Sequence, residues 1–271
     1  MDFEAFARLP DAEQDLVEGG LLLASDAYPG LDLDQQRRRF DELELPRRLG
    51  RAATGCLEWA EVLGEHVYGR LGFRGNEADY YDVKNSYLND VLDRRLGIPI
   101  TLAVVYIEIA RRAGLRADGV NFPGHFLVRL VDDSGNEPVL VDPFHGGGTL
   151  HGERLEELWT KVAGGRPSQS LPALEPASVR QVMTRMLMNL RAIHASRGDY
   201  RALYLVLDRI VALVPDAARE IRDRGMLSIK LGAPQAARSD LNRYLRLSPN
   251  AGDVAEVRRV LDSVATEQPP N

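Results

Sequence analysis

Cysteine is nearly absent from this 271-residue sequence, which contains only Cys56. A single cysteine excludes an internal disulfide and a zinc site built from several thiolates, and it favours a reducing compartment such as the bacterial cytoplasm. No stretch approaches the roughly 20 apolar residues that a membrane-spanning helix needs. The N-terminus, MDFEAFARLPDAEQD, lacks the basic start and apolar run of a secretory signal. We therefore expect a cytoplasmic protein without a membrane partner.

Basic residues are fewer than acidic ones, with 34 Lys and Arg against 40 Asp and Glu, which gives a net charge of −6. A chain with this balance is a poor general binder of phosphate backbones, so we expect no nucleic-acid partner. The sequence is 44% apolar and 27% charged and has no low-complexity tract. That composition is typical of a globular protein with a packed core.

The spacing of apolar residues predicts helices throughout the first part of the chain. DLDQQRRRFDELEL follows a cap at Asp32, and a longer helical pattern follows Pro46. Cys56 lies on the apolar side of that pattern, and we interpret it as a core residue rather than a reactive thiol. VKNSYLNDVLDRRLG offers Asn85 or Ser86 as a helix cap, with a stop at residue 97.

The next segment, IPITLAVVYIEIARRAGL, predicts the central helix of the fold. Pro99 suits the first turn of a helix, because its missing N–H has no intrahelical partner there. The residues that follow are apolar on nearly every side of a helix, so we expect it to be fully buried.

Alternating apolar and polar residues then predict a small antiparallel sheet. RADGVNF, HFLVRLV and PVLVDPF are typical of strands, DDSGN of a turn, HGGGTL of a loop and GERLEELWTKVAG of a helix. A four-residue loop at 133–136 puts Leu127 opposite Asp142 and makes His125 the diagonal neighbour of Asp142. An imidazole–carboxylate hydrogen bond at that distance orients the histidine of a nucleophilic triad. A purely structural hydrogen bond is the alternative.

A nucleophile for this pair belongs at a helix N-terminus, where the helix dipole lowers the pKa of a thiol. The first turn of the central helix reads Pro99, Ile100, Thr101, without cysteine or serine. Thr101 has a hydroxyl, but threonine nucleophiles use their own free amine as base, which an internal residue lacks. A hydrogen bond to the backbone is its commoner role.

The histidines allow a second interpretation, because His125, Asp142, His145 and His151 could together ligate zinc. HGGGTLH has no ligand pair at helical spacing, so we predict neither a metal nor a cofactor. The glycines at 146–148 lack the strand–loop–helix context of a phosphate-binding loop and favour a turn at the sheet edge.

A 34-residue repeat follows the segment GGRPSQSLPALEP, residues 164–176, which we interpret as a linker. RGDYRALYLVLDRIVALVPD aligns with LGAPQAARSDLNRYLRLSPN, with glycine ending the first helix, alanine allowing close approach and proline ending the second. This period is typical of tetratricopeptide repeats. The paired positions are Gly198 with Gly232, Ala202 with Ala236, Leu207 with Leu241, Val211 with Leu245 and Pro215 with Pro249.

NSYLNDVLDRRLGIPITLAVVYIEIARRAGL, GVNFPGHFLVRL, LVDPFHGG and the tetratricopeptide tail together resemble the SirB-type transglutaminase-like family, over roughly residues 30–260. The resemblance implies an α+β fold: a papain/transglutaminase-like core of helices on a small antiparallel sheet, then an all-α repeat domain. In active relatives a cysteine at the start of the central helix attacks a carbonyl, a strand histidine is the base, and an aspartate orients it. By that pattern His125 and Asp142 are the base and the orienting residue, and the nucleophile position near Pro99–Thr101 is vacant.

These observations predict a helical segment at 1–45, a transglutaminase-like domain at 46–163, the linker at 164–176 and a repeat domain at 177–265. The leading hypothesis is a catalytically inactive member that binds a peptide, a protein partner or a small ligand in a groove beside the pair or on the repeats. A hydrolase or acyl-transfer enzyme with an unconventional nucleophile or a bound metal is one alternative, and a scaffold acting only through its repeats is another. The candidate binding residues are Asn85, Asn89, Asn121, Thr101 and His145.

Overall fold

The computed structural model describes residues 1–46, 53, 55–132, 137–162 and 174–266. These form two compact units, which we call the core unit (Pro10–Met186) and the repeat unit (Met1–Leu9 with the described residues from Leu187 onward). Most of the predicted linker and the loop at 133–136 lie outside the described residues. No helix in the described part of the chain combines the length and the apolar character needed to cross a membrane.

The core unit begins with helices that are capped by aspartates. After the 3-10 turn Asp11–Glu13 come α2 (Leu16–Ala27) and α3 (Leu33–Asp41), whereas α1 (Phe3–Arg8) belongs to the repeat unit. The carboxylate of Asp32 accepts the N–H of Gln35, so the predicted cap of α3 is confirmed.

The long helix predicted after Pro46 falls partly outside the described residues. Residue 53 is not helical, residues 47–52 and 54 lie outside the described residues, and α4 spans Cys56–Gly64 with Gly55 as its cap. A π-helical turn, Glu65–Arg70, continues it. Cys56 is therefore the first residue of a helix, and it is buried as predicted.

The next helix also differs from its predicted bounds. Val83–Ser86 forms a 3-10 turn, and α5 spans Leu88–Arg94 with Tyr87 in the cap position, so the caps predicted at residues 85 and 86 are wrong. Arg95, with φ +56°, ends the helix two residues before the predicted glycine stop. Its guanidinium lies 4.6 Å from the ring centroid of Phe73, a cation–π contact that offsets the cost of the left-handed conformation.

The central helix agrees with its prediction. α6 spans Pro99–Arg112, with the proline in the first turn, and every residue from Pro99 to Ala110 except Glu108 is buried. It packs against the strands β3 and β4 of the sheet described next. Burial on all sides follows from a sequence that is apolar all round.

The sheet has the order β3-β4-β5-β6 and is antiparallel throughout. A separate parallel pair, β1 (Arg74–Gly75) and β2 (Leu96–Gly97), precedes it. β6 was predicted as loop, since three residues starting with glycine show no alternation; its pairing with β5 makes it a strand. The strands are β3 (Arg116–Phe122), β4 (His125–Val131), β5 (Val139–Asp142) and β6 (Gly148–Leu150), followed by α7 (Glu153–Val162).

A two-residue turn fixes the start of β4. Phe122 pairs with His125, so Pro123 and Gly124 alone connect the two strands. Proline fixes the φ of the first turn residue, and Gly124 takes φ +66°, the conformation that a type II turn requires at its second central position. The turn places His125 at the first position of β4.

The repeat unit confirms the tetratricopeptide prediction. Gly198 and Gly232, with φ +67° and +74°, follow the ends of α8 and α10. The helices also approach closely at Gly225, where a Cβ atom would lie 2.9 Å from Cδ2 of Leu241. The helices are α8 (Val179–Arg197), which begins in the core unit, α9 (Tyr200–Leu213), α10 (Ala218–Lys230), α11 (Pro234–Leu247) and α12 (Val254–Thr266).

Candidate functional site

His125 and Asp142 face each other across neighbouring strands. Val128 pairs with Val141, which puts Leu127 opposite Asp142, the register counted from the sequence. Nε2–H of His125 donates to Oδ1 of Asp142 at 2.8 Å. Both side chains are buried, with 7% and 5% exposure. The predicted imidazole–carboxylate contact is therefore present.

The chain after Asp142 folds back onto its carboxylate. Pro143 has no N–H to continue the strand, and the backbone N–H groups of Phe144 and His145 donate to Oδ1 at 2.9 and 3.2 Å. Nδ1–H of His145 donates to Oδ2 at 2.7 Å. One carboxylate thus holds two imidazoles, one on each oxygen.

This environment keeps Asp142 ionised. Burial raises the pKa of its carboxyl group, but the hydrogen bonds and the charge of His125 and His145 lower it further, to about 2. A carboxylate that stays charged above that pH accepts the hydrogen bonds of both rings and fixes their orientation.

Aromatic rings connect the pair to the surface. The ring of Phe144 lies 6.3 Å from that of His125 and 5.1 Å from that of His145, and the ring of Tyr80 packs 5.8 Å from that of Phe144. Tyr80 is 37% and Tyr81 71% exposed, and the side chain of His145 is 51% exposed. We call the exposed residues Tyr80, Tyr81 and His145 the aromatic surface.

The hydroxyl of Thr101 is engaged inside the core. Its side chain is fully buried, and its oxygen accepts the N–H of Ile98 at 3.1 Å while its O–H donates to the carbonyl of Asn85 at 2.8 Å. This hydroxyl closes the first turn of α6. The structure therefore corrects its place among the groove residues, because the oxygen is engaged inside the core.

Asn85 is likewise a structural residue rather than a groove residue. It is fully buried, it accepts a hydrogen bond from Asn76 at 3.0 Å, and its amide donates to the carbonyls of Asp79 and Tyr80 at 2.7 and 3.2 Å. These bonds fix the loop that carries Tyr80. Asn85 thus acts on the aromatic surface only through the backbone.

The two other asparagines lie in different surroundings. Asn89, on α5, is 7% exposed, and no hydrogen-bond donor within the described residues reaches its side-chain oxygen. Asn121 pairs with Phe126, whereas Phe122 pairs with His125. Since neighbouring strand residues point to opposite faces, Asn121 lies on the face opposite to His125 and was wrongly assigned to one groove with it.

Cys56 lies at the far end of β4 from His125. Its backbone N–H donates to Oδ2 of Asp132, the residue that follows β4. Asp132 follows His125 by seven positions along the strand, which corresponds to roughly 20 Å. Burial, and then the nearby Asp132, raise the pKa of the thiol, the opposite of what a nucleophile needs.

A cleft beside the glycine loop was not predicted from the sequence. It has a volume of about 490 Å³ and lies between α4, the π-helical turn and residues 146–149. Gly147 has φ +76°, and a Cβ atom there would lie 2.4 Å from Cε2 of Tyr68. The run DPFHGGG indicates the turn, but no sequence signal indicates that Tyr68 packs on it.

The two histidines and the aspartate described above also meet the geometric requirement for a metal site. One nitrogen of His125, one of His145 and an oxygen of Asp142 lie within 4.8 Å of one another. His151, the fourth residue of the predicted cluster, is exposed and does not belong to this group.

Comparison with known families agrees with this architecture. Residues 33–188 match the transglutaminase-like superfamily. Residues 190–262 match the tetratricopeptide repeat. The resemblance drawn from the sequence is thereby confirmed for both parts of the chain.

Known relatives cover nearly the whole chain. A UPF0162 protein from Xylella fastidiosa is 39% identical over 98% of this chain and 95% of its own length. A UPF0162 protein from Pseudomonas aeruginosa is 30% identical over 92% and 91%. Mouse F-box only protein 21 is 31% identical over 85% of this chain but only 41% of its own length. Since the matched regions coincide with the fold described above, this chain belongs to the transglutaminase-like superfamily and to the UPF0162 family within it.

Proposed function

We propose that this protein binds a peptide or a segment of a protein partner beside the His125–Asp142 pair and has no acyl-transfer activity. The proposal is supported by the start of α6, where Pro99 and the buried Thr101 stand near the position that the family resemblance assigns to the nucleophile.

Acyl transfer by a triad requires a nucleophile in contact with the base. The Thr101 oxygen is hydrogen-bonded to the backbone of Ile98 and Asn85. The backbone N–H of Cys56 donates to Asp132, at the other end of β4 from His125. A histidine and an aspartate alone can orient and polarise a bound group, but they cannot form an acyl-enzyme. This favours recognition without turnover.

The aromatic surface offers the contact area for such a partner. Aromatic residues contribute strongly to protein interfaces because they bury a large area at a small entropy cost. Tyr81 is the most exposed of the three residues, and it lies beside rings that reach the buried pair through Phe144. The repeat unit adds a second binding surface, since tetratricopeptide repeats generally bind protein segments.

The catalytic half of the proposal is tested by an activity assay. Purified protein is incubated with a glutamine-containing peptide and a fluorescent primary amine, and separately with chromogenic esters. We expect the wild type and His125→Ala to give the same background rate. Turnover that is present in the wild type and absent from His125→Ala would overturn the proposal.

The binding half is tested on an immobilised peptide library. We expect a subset of peptides to bind saturably and Tyr81→Ala to weaken that binding at least tenfold. Leu57→Ala is the matched control, because it removes another exposed apolar side chain from the core unit. Equal loss in both variants, or no saturable binding by the wild type, would contradict a recognition role for the aromatic surface.

A further inference from the structure

Two imidazoles and one carboxylate converge at the end of β5, and we propose that His125, Asp142 and His145 together bind one divalent transition-metal ion, with zinc as the reference ion. Their ligand atoms lie within 4.8 Å of one another. Nitrogen and oxygen donors in this combination suit zinc, which commonly takes three protein ligands and leaves a fourth position for water. The proposal is independent of the peptide-binding role.

The two oxygens of Asp142 are unequally engaged. Oδ1 accepts hydrogen bonds from the ring of His125 and from the backbone N–H groups of Phe144 and His145. Oδ2 accepts one described hydrogen bond, from the ring of His145. The backbone donors fix the orientation of the carboxylate, as outer-shell partners of a metal ligand do, and Oδ2 keeps a lone pair for the ion.

The binding requires a small rearrangement. Metal–ligand distances of about 2.0–2.2 Å in a tetrahedral site separate the ligand atoms by about 3.3 Å. The distance from Nδ1 of His145 to Oδ2 of Asp142 is 2.7 Å and must lengthen by roughly half an ångström. The 2.8 Å hydrogen bond from His125 to Oδ1 must open, so that a ring nitrogen of His125 reaches an ion on Oδ2. Each imidazole must also present an unprotonated nitrogen to the ion, which it does by carrying its proton on the other ring nitrogen.

His145 is the ligand that can move. Its side chain is 51% exposed, while those of His125 and Asp142 are 7% and 8% exposed. The two buried ligands are fixed by strands, and the exposed one lies on the turn that follows β5. Solvent reaches the cluster through His145, which gives an ion a path of entry.

The packing around the cluster favours ion binding over a purely structural role for the second histidine. Phe144 packs against both rings at 5.1 and 6.3 Å and shields one side of the cluster from water. One histidine already satisfies Oδ1 of the buried carboxylate. A second, half-exposed imidazole contributes little to stability as a surface ion pair, but it completes a set of three metal ligands.

The experiment is a zinc titration of the full-length protein, produced without a polyhistidine tag, stripped with a chelator and measured against a competing chromogenic chelator. We expect one zinc ion per chain, with at least a tenfold loss of affinity in His145→Ala and in His145→Gln. His151→Ala is the matched control, since this exposed histidine lies three residues beyond the glycine run, outside the cluster, and the variant should bind like the wild type.

Cobalt provides a second readout. We expect Co²⁺ to give the visible absorption of a tetrahedral site in the wild type and in Cys56→Ser, and a loss of that absorption in His145→Ala. Binding of less than half an ion per chain, or unchanged affinity in both His145 variants, would overturn the proposal. If peptide binding persists in either case, the proposed role of the aromatic surface is unaffected. Failure of the metal proposal can therefore be distinguished from failure of the peptide-binding proposal.

Discussion

Nε2 of His125 and Oδ1 of Asp142 lie 2.8 Å apart across β4 and β5, while the central helix α6 begins with Pro99. The pair therefore has the imidazole–carboxylate geometry that the sequence predicted. What the fold retains is a buried, ionised carboxylate with two imidazoles and an aromatic surface beside it. That arrangement suits recognition of a partner or of an ion.

The first prediction concerns the first turn of the central helix. Thr101→Val should destabilise the core unit by about 2 kcal/mol, because it leaves the Ile98 N–H and the Asn85 carbonyl buried without this partner. Urea unfolding followed by tryptophan fluorescence measures this, since both tryptophans lie in the core unit. Thr101→Ser keeps the hydroxyl and should lose only about 1 kcal/mol, for the missing methyl group. Equal losses in both variants would show that the hydroxyl has no capping role.

The glycine loop provides a matched pair of positions. Gly146→Ala and Gly147→Ala both place a side chain at positive φ, +77° and +76°, which costs about 1 kcal/mol each. Gly147→Ala should cost at least about 1 kcal/mol more, because its Cβ atom would meet the Tyr68 ring at 2.4 Å, whereas nothing lies within 4 Å at Gly146. Thermal unfolding of the two variants compares them, and a larger loss at Gly146 would contradict the described packing.

In the repeat unit, Arg224 joins three helices through ion pairs. Its guanidinium donates to both oxygens of Asp240 and to Asp208, each at 2.7 Å. Arg224→Ala leaves Asp240, 6% exposed, without this partner and should destabilise the unit by about 3 kcal/mol. Arg8→Ala removes an ion pair from a side chain that is 75% exposed and should change stability by less than about 0.5 kcal/mol. Chemical unfolding followed by circular dichroism separates these outcomes.

His194 should make the repeat unit sensitive to acid. Burial lowers the pKa of its ring, Asp199 opposes that shift, and Arg197 adds to it, with a net lowering. The unfolded chain therefore binds a proton more readily than the folded one, so stability present above about pH 6.5 is lost as the pH falls below it.

Unfolding free energies measured from about pH 7.5 to pH 5 test this. We expect His194→Leu to lose less stability than the wild type over that range, because it has no proton to take up at this position. His151→Leu, at an exposed position of the core unit, should follow the wild type. Identical pH profiles for wild type and His194→Leu would contradict a role for this imidazole.

Local patterns in the sequence determined the architecture. The change from helical to alternating apolar spacing gave the limits of β3 and β4, and the 34-residue offset located Gly198 and Gly232. Counting across the loop gave the register that joins His125 to Asp142. These features depend on spacing along the chain, turn chemistry and strand alternation, which are fixed by neighbouring residues.

Only the tertiary structure decided which polar side chains are engaged inside the fold. Asn85 and Thr101 are polar residues of the kind that line binding grooves, but their side chains bind backbone carbonyls, Asn85 that of Asp79 and Thr101 that of Asn85. Asn121 is separated from His125 by the strand pleat. Whether a hydroxyl or an amide is free for a ligand depends on which donors and acceptors the packed chain brings to it. The spacing of residues along the sequence does not determine those partners.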